Sequence, residues 1–274
     1  MLSDNHMHSY FSGDSEAAPE DMIKSSKDKG LSGITFTDHL DWDYHHEPGL
    51  FDLDIPKYLS KMRQIAETCA TDAFPVRVGI ELGLQPHLAD RHTYLLKENN
   101  FDYVIGSVHQ IDGNDPYYDT FFEGRSIVVA YRDYLLCLLE NLSEFYEIDA
   151  LGHLDYISRY GMRVAKSRGV DGRFYYDDHR EIIDEILRFL VLHDIALEVN
   201  TGAFRYGYDE PNPSYEIIRR YREMGGCMLT LGADAHKPED VGGAFEKVIP
   251  RLKELGFSSY YVFTKRKPTE KPFD

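Results

Sequence analysis

Histidines recur where short apolar runs end along this chain, and their side chains can bind metal ions. The first case is Asp4-Asn5-His6-Met7-His8, in which one residue separates two histidines. If this segment is a strand, His6 and His8 point to the same face and can approach one ion. The candidate ligands at or beside later run ends are Asp14, Asp38, His39, Glu81, His109, His153, Asp234 and His236.

Each of these residues also has an ordinary structural explanation. An Asp at a strand end often caps the next helix, and a single His such as His109 can be a hydrogen-bonded structural residue. Six of the 12 histidines lie at run ends, however, which favours a multinuclear metal site over chance. Imidazole and carboxylate ligands together suit Zn, Mn or Fe, and a carboxylate such as Glu81 can bridge two ions.

The elements that must position these residues alternate between strand and helix. After an N-terminal strand, we predict strands at 32–37, 76–80, 103–108, 150–151, 196–199, 228–231 and 260–264. We predict helices at 19–29, 56–70, 88–98, 127–146 and 178–193, a helix from Pro213 to Gly225, and a last helix from Pro238 that is bent or broken at Pro250. The basic segment 159–173 is predicted to be a loop.

This alternation is typical of a parallel sheet covered by helices, either open and doubly wound or closed into a barrel. The candidate ligands follow at least six strands, and in a barrel all those strand ends surround one mouth. We therefore predict one α/β domain over residues 1–274, a TIM-like barrel with a metal site at the C-terminal ends of its strands.

Composition limits the classes of partner. The net charge of −17 argues against a broad nucleic-acid binder, although bound cations would permit a small phosphorylated substrate. Cys69, Cys137 and Cys227 lack a CxxC spacing, so free thiols in a reducing compartment are expected. No secretory signal or long apolar run is visible. We expect a cytoplasmic protein without membrane or nucleic-acid partners, and the oligomeric state stays open.

The ordered set His6-x-His8, Thr37-Asp38-His39, Glu81, His109, His153 and Asp234-x-His236 resembles the PHP family, which is named for polymerase and histidinol phosphatase. The resemblance spans nearly the whole chain. Segments 152–156 and 198–202 resemble most the stand-alone histidinol-phosphate phosphatases, which act in histidine biosynthesis. The resemblance implies a distorted (β/α)7 barrel with two to three divalent ions, Zn, Mn or Fe.

The family also implies a distribution of ligands. One ion would take His6, His8, Glu81 and Asp234, a second Glu81, His109 and His153, and a third Asp14, His39 and His236. The implied reaction is hydrolysis of L-histidinol phosphate, in which metal-bound hydroxide attacks phosphorus. Two alternatives stay open: a PHP phosphoesterase for another small phosphomonoester, and a non-catalytic metal-binding regulatory subunit.

Further residues are assigned to catalysis and to the substrate. We assign catalytic roles to Asp234, His236 and Asp38, where Asp38, a water or a released histidine could protonate the leaving alkoxide. Arg159 and Arg205 follow strand ends and are nominated as phosphate clamps, because guanidinium binds phosphate in a bidentate manner. In the aromatic and acidic loops, we expect Trp42, Tyr117 and Glu123 to contact the imidazole and ammonium groups.

Overall fold

The computed structural model describes residues 1–273, in which strands and helices alternate. The strands are β1 (Ser3–Met7), β2 (Gly33–Phe36), β3 (His39–Leu40), β4 (Val76–Val78), β5 (Ile80–Gly83), β6 (Val104–Ser107), β7 (Ala150–Leu151), β8 (Ala196–Asn200), β9 (Leu229–Gly232), β10 (Ser259–Thr264) and β11 (Lys267–Pro272). The helices are α1 (Pro19–Asp28), α2 (Ile55–Cys69), α3 (Ala89–Glu98), α4 (Ile127–Glu144), α5 (Ile157–Arg168), α6 (Arg180–Leu192), α7 (Tyr215–Glu223) and α8 (Phe245–Glu254).

Two parallel sheets form the centre of this α/β fold. One has the order β1-β2-β4 and the other β3-β5-β6-β7-β8-β9. The chain passes from β2 to β3 and from β4 to β5 within one or two residues, so neighbouring strands continue from one sheet into the other. At the far edges, His8 N donates to Ala235 O and Asp234 N donates to His6 O, both at 2.8 Å. The end of β1 therefore lies beside the segment that follows β9.

The strands are short and buried, as expected for a parallel sheet covered by helices. All four residues of β5 are buried. The amphipathic α6 buries Ile183, Ile186, Leu187 and Leu190, which recur at the spacing of one helix face. Fully burying such a side chain contributes about 1.5–3 kcal/mol to stability, so the helices fix the strand ends that carry the polar residues.

The C-terminal hairpin β10–β11 is antiparallel and packs at the opposite ends of the strands. Tyr260 OH accepts a hydrogen bond from Ser3 N at the start of β1 (2.8 Å). Phe263 stacks on Tyr103, which immediately precedes β6, with 5.2 Å between ring centroids. The hairpin therefore leaves the C-terminal ends of the strands accessible. Only one of its two strands was predicted.

The predicted loop at 159–173 is wrong, because most of it belongs to α5. Gly161 made the segment look irregular, but it is the contact point between α5 and α4. A Cβ at Gly161 would lie 2.2 Å from the Tyr131 hydroxyl, so only glycine allows this approach. The last helix also differs from the prediction: a short 3₁₀ turn, Pro238–Asp240, precedes α8, which continues through Pro250.

Within residues 1–273, no helix combines the length and the apolar composition that crossing a membrane requires.

Candidate metal centre

The centre of the site is the buried carboxylate of Glu81 on β5. Its Oε2 lies 3.1 Å from His6 Nε2, 3.1 Å from His39 Nδ1 and 3.5 Å from His8 Nε2. Its Oε1 lies 3.0 Å from His153 Nε2 and 3.5 Å from His109 Nε2. Five histidines from different parts of the chain, all predicted as ligands, therefore surround one carboxylate.

The remaining predicted ligands complete one side of this cluster. His236 Nε2 lies 3.0 Å from Asp14 Oδ2, and His39 Nε2 lies 3.8 Å from the same atom. Asp234 Oδ1 lies 3.4 Å from His8 Nε2. Asp234 adopts a left-handed backbone conformation, with φ of 55°, which Asp tolerates better than most residues. The carboxylate lies within 4 Å of ring nitrogens of His6, His8 and His236.

Two imidazoles form hydrogen bonds through the ring nitrogen that points away from Glu81. These bonds identify the nitrogen that faces Glu81 as an acceptor. His6 Nδ1 lies 2.6 Å from Glu198 Oε1, and His109 Nδ1 lies 2.6 Å from Asp41 Oδ1. An ionised carboxylate only accepts, so each Nδ1 carries the proton and a neutral ring keeps its lone pair on Nε2. When these rings are neutral, their buried acceptor atoms face Glu81, an arrangement that requires a positive charge between them, from a bound cation or from a second ring proton.

Four groups of side chains bring their ligand atoms within 4.8 Å of one another. They are His6-His8-Glu81, Glu81-His109-His153, His8-His39-His236 and His39-Asp41-His109. Their nitrogen and oxygen donors fit Zn, Mn or Fe. The second group is the same as one ligand set that the family resemblance implied, the first lacks only Asp234 of another, and the third has His8 where the implied set has Asp14. Asp41, in the fourth group, was not predicted.

The electrostatics of the buried cluster are strongly coupled. Burial alone would raise the pKa of Glu81, but His6, His39 and His109 together hold it well below its usual value. Burial alone would lower the pKa of His6, but the carboxylates of Glu198, Glu81 and Asp234 raise it well above its usual value. Positive charge at this point is therefore strongly favoured, whether it comes from a proton or from a metal ion.

A cavity of about 330 Å³ opens over the cluster, within the size range of small-molecule sites. The predicted site residues that line it are Asp14, His39, His109, Tyr117, His153, Arg159, Arg205, Asp234 and His236. Residues that were not predicted also line it, among them Asp41, Tyr44, Glu47, Asp115, Tyr156 and Tyr160. One end of the cavity is thus rich in metal-ligand side chains and the rest is aromatic and acidic.

The two predicted phosphate clamps both reach this cavity. Arg159 is buried on α5 and donates through Nε to Asn212 Oδ1 (2.6 Å) and through one terminal nitrogen to Asn200 Oδ1 (2.9 Å). Its other terminal nitrogen lies 3.4 Å from Asp234 Oδ2. Arg205 donates to the carbonyl oxygens of Ala233 (2.5 Å) and Asp234 (2.6 Å). Both guanidinium groups are held rigidly beside Asp234.

Three of the residues predicted for catalysis or substrate binding do not line the cavity. Trp42 packs against α3, with its ring stacked on His92 and covered by the Arg91 guanidinium at 3.8 Å. Glu123 is exposed just after a 3₁₀ turn whose Phe121 and Phe122 are buried. Asp38 is buried beneath the centre, where Ser9 and Ser12 donate hydrogen bonds to it. None of the three is placed to touch a molecule in the cavity.

Sequence reasoning missed Asp41 and Glu198, which hold the far nitrogens of His109 and His6. Asp41 stands two residues after His39, so continued strand periodicity would have placed it on the same face. Glu198 lies on β8, and its Oε2 also accepts the backbone N–H of His153 (2.9 Å). Asn200, which accepts a hydrogen bond from Arg159, lies two residues further along β8 and therefore on the same strand face as Glu198.

Comparison with known proteins agrees with this geometry. Residues 4–202 match the family described as PHP domain. A protein of Clostridium acetobutylicum named "Probable histidinol-phosphatase" is 31% identical over 266 residues, covering 97% of this chain and 98% of that protein. The "Histidinol-phosphatase" of Lactococcus lactis is 32% identical over 266 residues, covering 95% and 94%.

A solved structure is also similar. The crystal structure of histidinol phosphate phosphatase from Lactococcus lactis, complexed with zinc, L-histidinol and phosphate, superposes with a TM-score of 0.86 at 30% identity, covering 98% of each chain. The family match covers residues 4–202, which include Glu81 and the five histidines around it. The chain belongs to the PHP domain family.

Proposed function

We propose that this protein is a histidinol-phosphatase, which hydrolyses L-histidinol phosphate to L-histidinol and phosphate in histidine biosynthesis. The observation that carries the proposal is the placement of five imidazoles around Glu81 at one end of a cavity that also contains Arg159 and Arg205. The Lactococcus lactis relative, crystallised with zinc, L-histidinol and phosphate, supports the same substrate.

We also propose that residues 1–274 form a single domain, a distorted (β/α)7 barrel. The main-chain hydrogen bonds between His6 or His8 and the segment after β9 support closure, because they join the edges of the two sheets. In such a barrel the strand ends surround one mouth, which accounts for the convergence on Glu81.

The free thiols of Cys69, Cys137 and Cys227 support a location in the reducing cytoplasm.

For the metal, we propose two to three divalent ions, Zn, Mn or Fe, held by the three implied ligand sets. These sets are His6-His8-Glu81-Asp234, Glu81-His109-His153 and Asp14-His39-His236. Such ions, when bound, lower the pKa of water and neutralise phosphoryl oxygens.

Asp234 and His236 keep their catalytic assignment because they line the cavity beside the arginines. Asp38 loses it, because its carboxylate has no access to the cavity.

The arginines bind the phosphoryl group in this proposal. Arg159 uses three of its five N–H donors on Asn212, Asn200 and Asp234, so up to two remain for a ligand. Arg205 is oriented by two carbonyl oxygens. Because both groups are already fixed, little side-chain entropy is lost when phosphate binds. Their charges also offset the acidic residues nearby.

The leaving group would occupy the aromatic and acidic part of the cavity. Tyr117 lines this part. Glu47 and Asp115 replace Glu123 as the acidic candidates, and Tyr156 replaces Trp42 as the aromatic candidate. Asp115 already accepts from Tyr44 OH (2.8 Å) and from Tyr117 N (2.7 Å). Glu47 is exposed to the cavity, so its carboxylate is the one available to the cationic groups of L-histidinol phosphate.

The experiment compares phosphate release from L-histidinol phosphate by metal-stripped protein with and without added Zn²⁺ or Mn²⁺. We expect activity only after metal addition, and its loss together with bound metal in Asp234→Asn and His153→Ala. His87→Ala serves as the control, because His87 is exposed and its one ion-pair partner within residues 1–273 is Asp43. Metal binding without hydrolysis of any ester would instead favour a regulatory subunit, and full activity of Asp234→Asn would refute the site.

A further inference from the structure

The hydroxyl group of Ser12 lies beneath the metal centre and contacts three polar groups. Ser12 Oγ is 3.0 Å from His8 Nδ1, 2.9 Å from the backbone nitrogen of His39 and 3.1 Å from Asp38 Oδ1. Ser12 is 2% exposed, and His8 and Asp38 are fully buried. Bulk water therefore does not compete for these contacts, and the Ser12 hydroxyl determines how the surrounding protons are arranged.

These contacts fix which group donates and which accepts in each hydrogen bond. The N–H of His39 can only donate, and the carboxylate of Asp38 only accepts. Ser12 therefore donates its single proton to Asp38 and accepts one from His8 Nδ1. The Nε2 atom of a neutral His8 is then left with its lone pair. That atom lies 3.4 Å from Asp234 Oδ1 and 3.5 Å from Glu81 Oε2, on the side of the metal centre.

Asp38 is itself held in place on the side away from the cavity. The backbone N–H of Ser9 donates to Asp38 Oδ1 at 2.6 Å, and the Ser9 hydroxyl lies 2.9 Å and 3.0 Å from the two carboxylate oxygens. Burial raises the pKa of Asp38, and the hydrogen bonds from Ser9 and Ser12 oppose that rise. The carboxylate is thus positioned to orient the Ser12 hydroxyl.

We propose that Asp38 and Ser12 form a hydrogen-bond relay that sets the Nδ1-protonated tautomer of His8 and thereby prepares His8 Nε2 as a metal ligand. Ser12 also binds the backbone of His39, so one hydroxyl aligns two of the metal-binding histidines. Both Ser12 and Asp38 are positioning residues. The inference rests on the proposed function only in that the centre uses a metal, and it requires no particular phosphoester.

The test measures Zn²⁺ binding to metal-free protein by competition with a chromogenic chelator. We expect Ser12→Ala to weaken Zn²⁺ binding about 10–100-fold, as for other groups that orient metal ligands. Ser12→Thr keeps the hydroxyl and should restore most of the affinity. The matched control is Ser26→Ala, because Ser26 is equally buried but donates to Met22 O within α1. Its Zn²⁺ affinity should equal that of the wild type.

A second measurement reads the tautomer directly. In ¹⁵N NMR spectra of metal-free protein, the wild type should show His8 protonated at Nδ1, and Ser12→Ala should lose this preference. Asp38→Asn provides a milder variant if Ser12→Ala does not fold. Its amide oxygen can still accept from Ser12 but is a weaker acceptor than the carboxylate, so Zn²⁺ binding should weaken by less than the 10–100-fold expected for Ser12→Ala. Wild-type affinity and tautomer in folded Ser12→Ala, or an equal loss in Ser26→Ala, would overturn the relay. Neither readout uses a phosphoester, so failure of the phosphatase proposal would leave this result interpretable.

Discussion

The Oδ1 atom of Asp41 lies 2.6 Å from His109 Nδ1, and its Oδ2 atom lies 3.5 Å from His39 Nδ1. One buried carboxylate therefore contacts two histidines that the family resemblance places on different ions. His39 and His109 hold the pKa of Asp41 well below its usual value, although burial opposes this. Asp41 thus couples two parts of the centre through a single ionised group.

Asp41→Asn should weaken metal binding about 10–100-fold. An amide can present its NH₂ to His109, which would favour the tautomer whose Nε2 is protonated and unable to bind metal. The measurement is metal content after dialysis at defined free Zn²⁺. The control is Asp43→Asn, which makes the same chemical change in an exposed pair with His87. Equal metal content in both variants would contradict the role of Asp41.

His39 should give the metal-free protein a pH-dependent stability. Burial lowers its pKa, but Glu81, Asp14 and Asp41 outweigh this and raise the pKa to about 9. A histidine with a raised pKa stabilises the folded state fully below its unfolded pKa of about 6.5, and this contribution disappears as the pH rises through about 9. The stabilisation is on the order of 3 kcal/mol.

Chemical denaturation of metal-free wild type and His39→Gln at several pH values tests this expectation. The variant should be less stable near pH 6, and the difference in free energy of unfolding should shrink as the pH approaches 9 and exceeds it. A difference that stays constant, or that grows with rising pH, would mean that His39 is not protonated in the metal-free fold. Chelator must be present throughout, because bound metal would replace the proton.

Glu47 should contribute to substrate choice. Because Glu47 lines the cavity and Glu123 does not, Glu47→Gln and Glu123→Gln form a matched pair. We expect Glu47→Gln to reduce kcat/KM for L-histidinol phosphate about two- to fivefold, the range of a partly solvated ion pair, and to leave p-nitrophenyl phosphate nearly unchanged. Glu123→Gln should change neither value. Equal losses on both esters would place Glu47 in the chemistry or in folding, not in recognition of the cationic leaving group.

The part of the site that follows from strand periodicity could be predicted from the sequence. His6 and His8 share a face because side chains alternate along a strand, and Glu81, His109 and His153 meet because parallel strands end at the same side of a sheet. The resemblance to the PHP family then grouped these residues into sets. Neither argument required knowledge of how the loops fold.

What failed depended on contacts between distant segments. Trp42 and Glu123 carry suitable chemistry, but α3 and a buried pair of phenylalanines hold them away from the cavity. The α5 helix was missed because Gly161 weakens the helical pattern locally. A glycine is needed there because Tyr131 of α4 approaches the helix closely at this point. Helix propensity depends on the local sequence, so it does not predict a contact with a distant segment.

The most direct test of the central claim is a comparison of kcat/KM for three esters with Mn²⁺ or Zn²⁺ supplied. The esters are L-histidinol phosphate, p-nitrophenyl phosphate and a nucleoside monophosphate. A histidinol-phosphatase should prefer L-histidinol phosphate by a factor of about 100 or more, equivalent to about 2.7 kcal/mol of additional transition-state binding. Equal, slow hydrolysis of all three esters would contradict the substrate assignment and leave a phosphoesterase of different specificity.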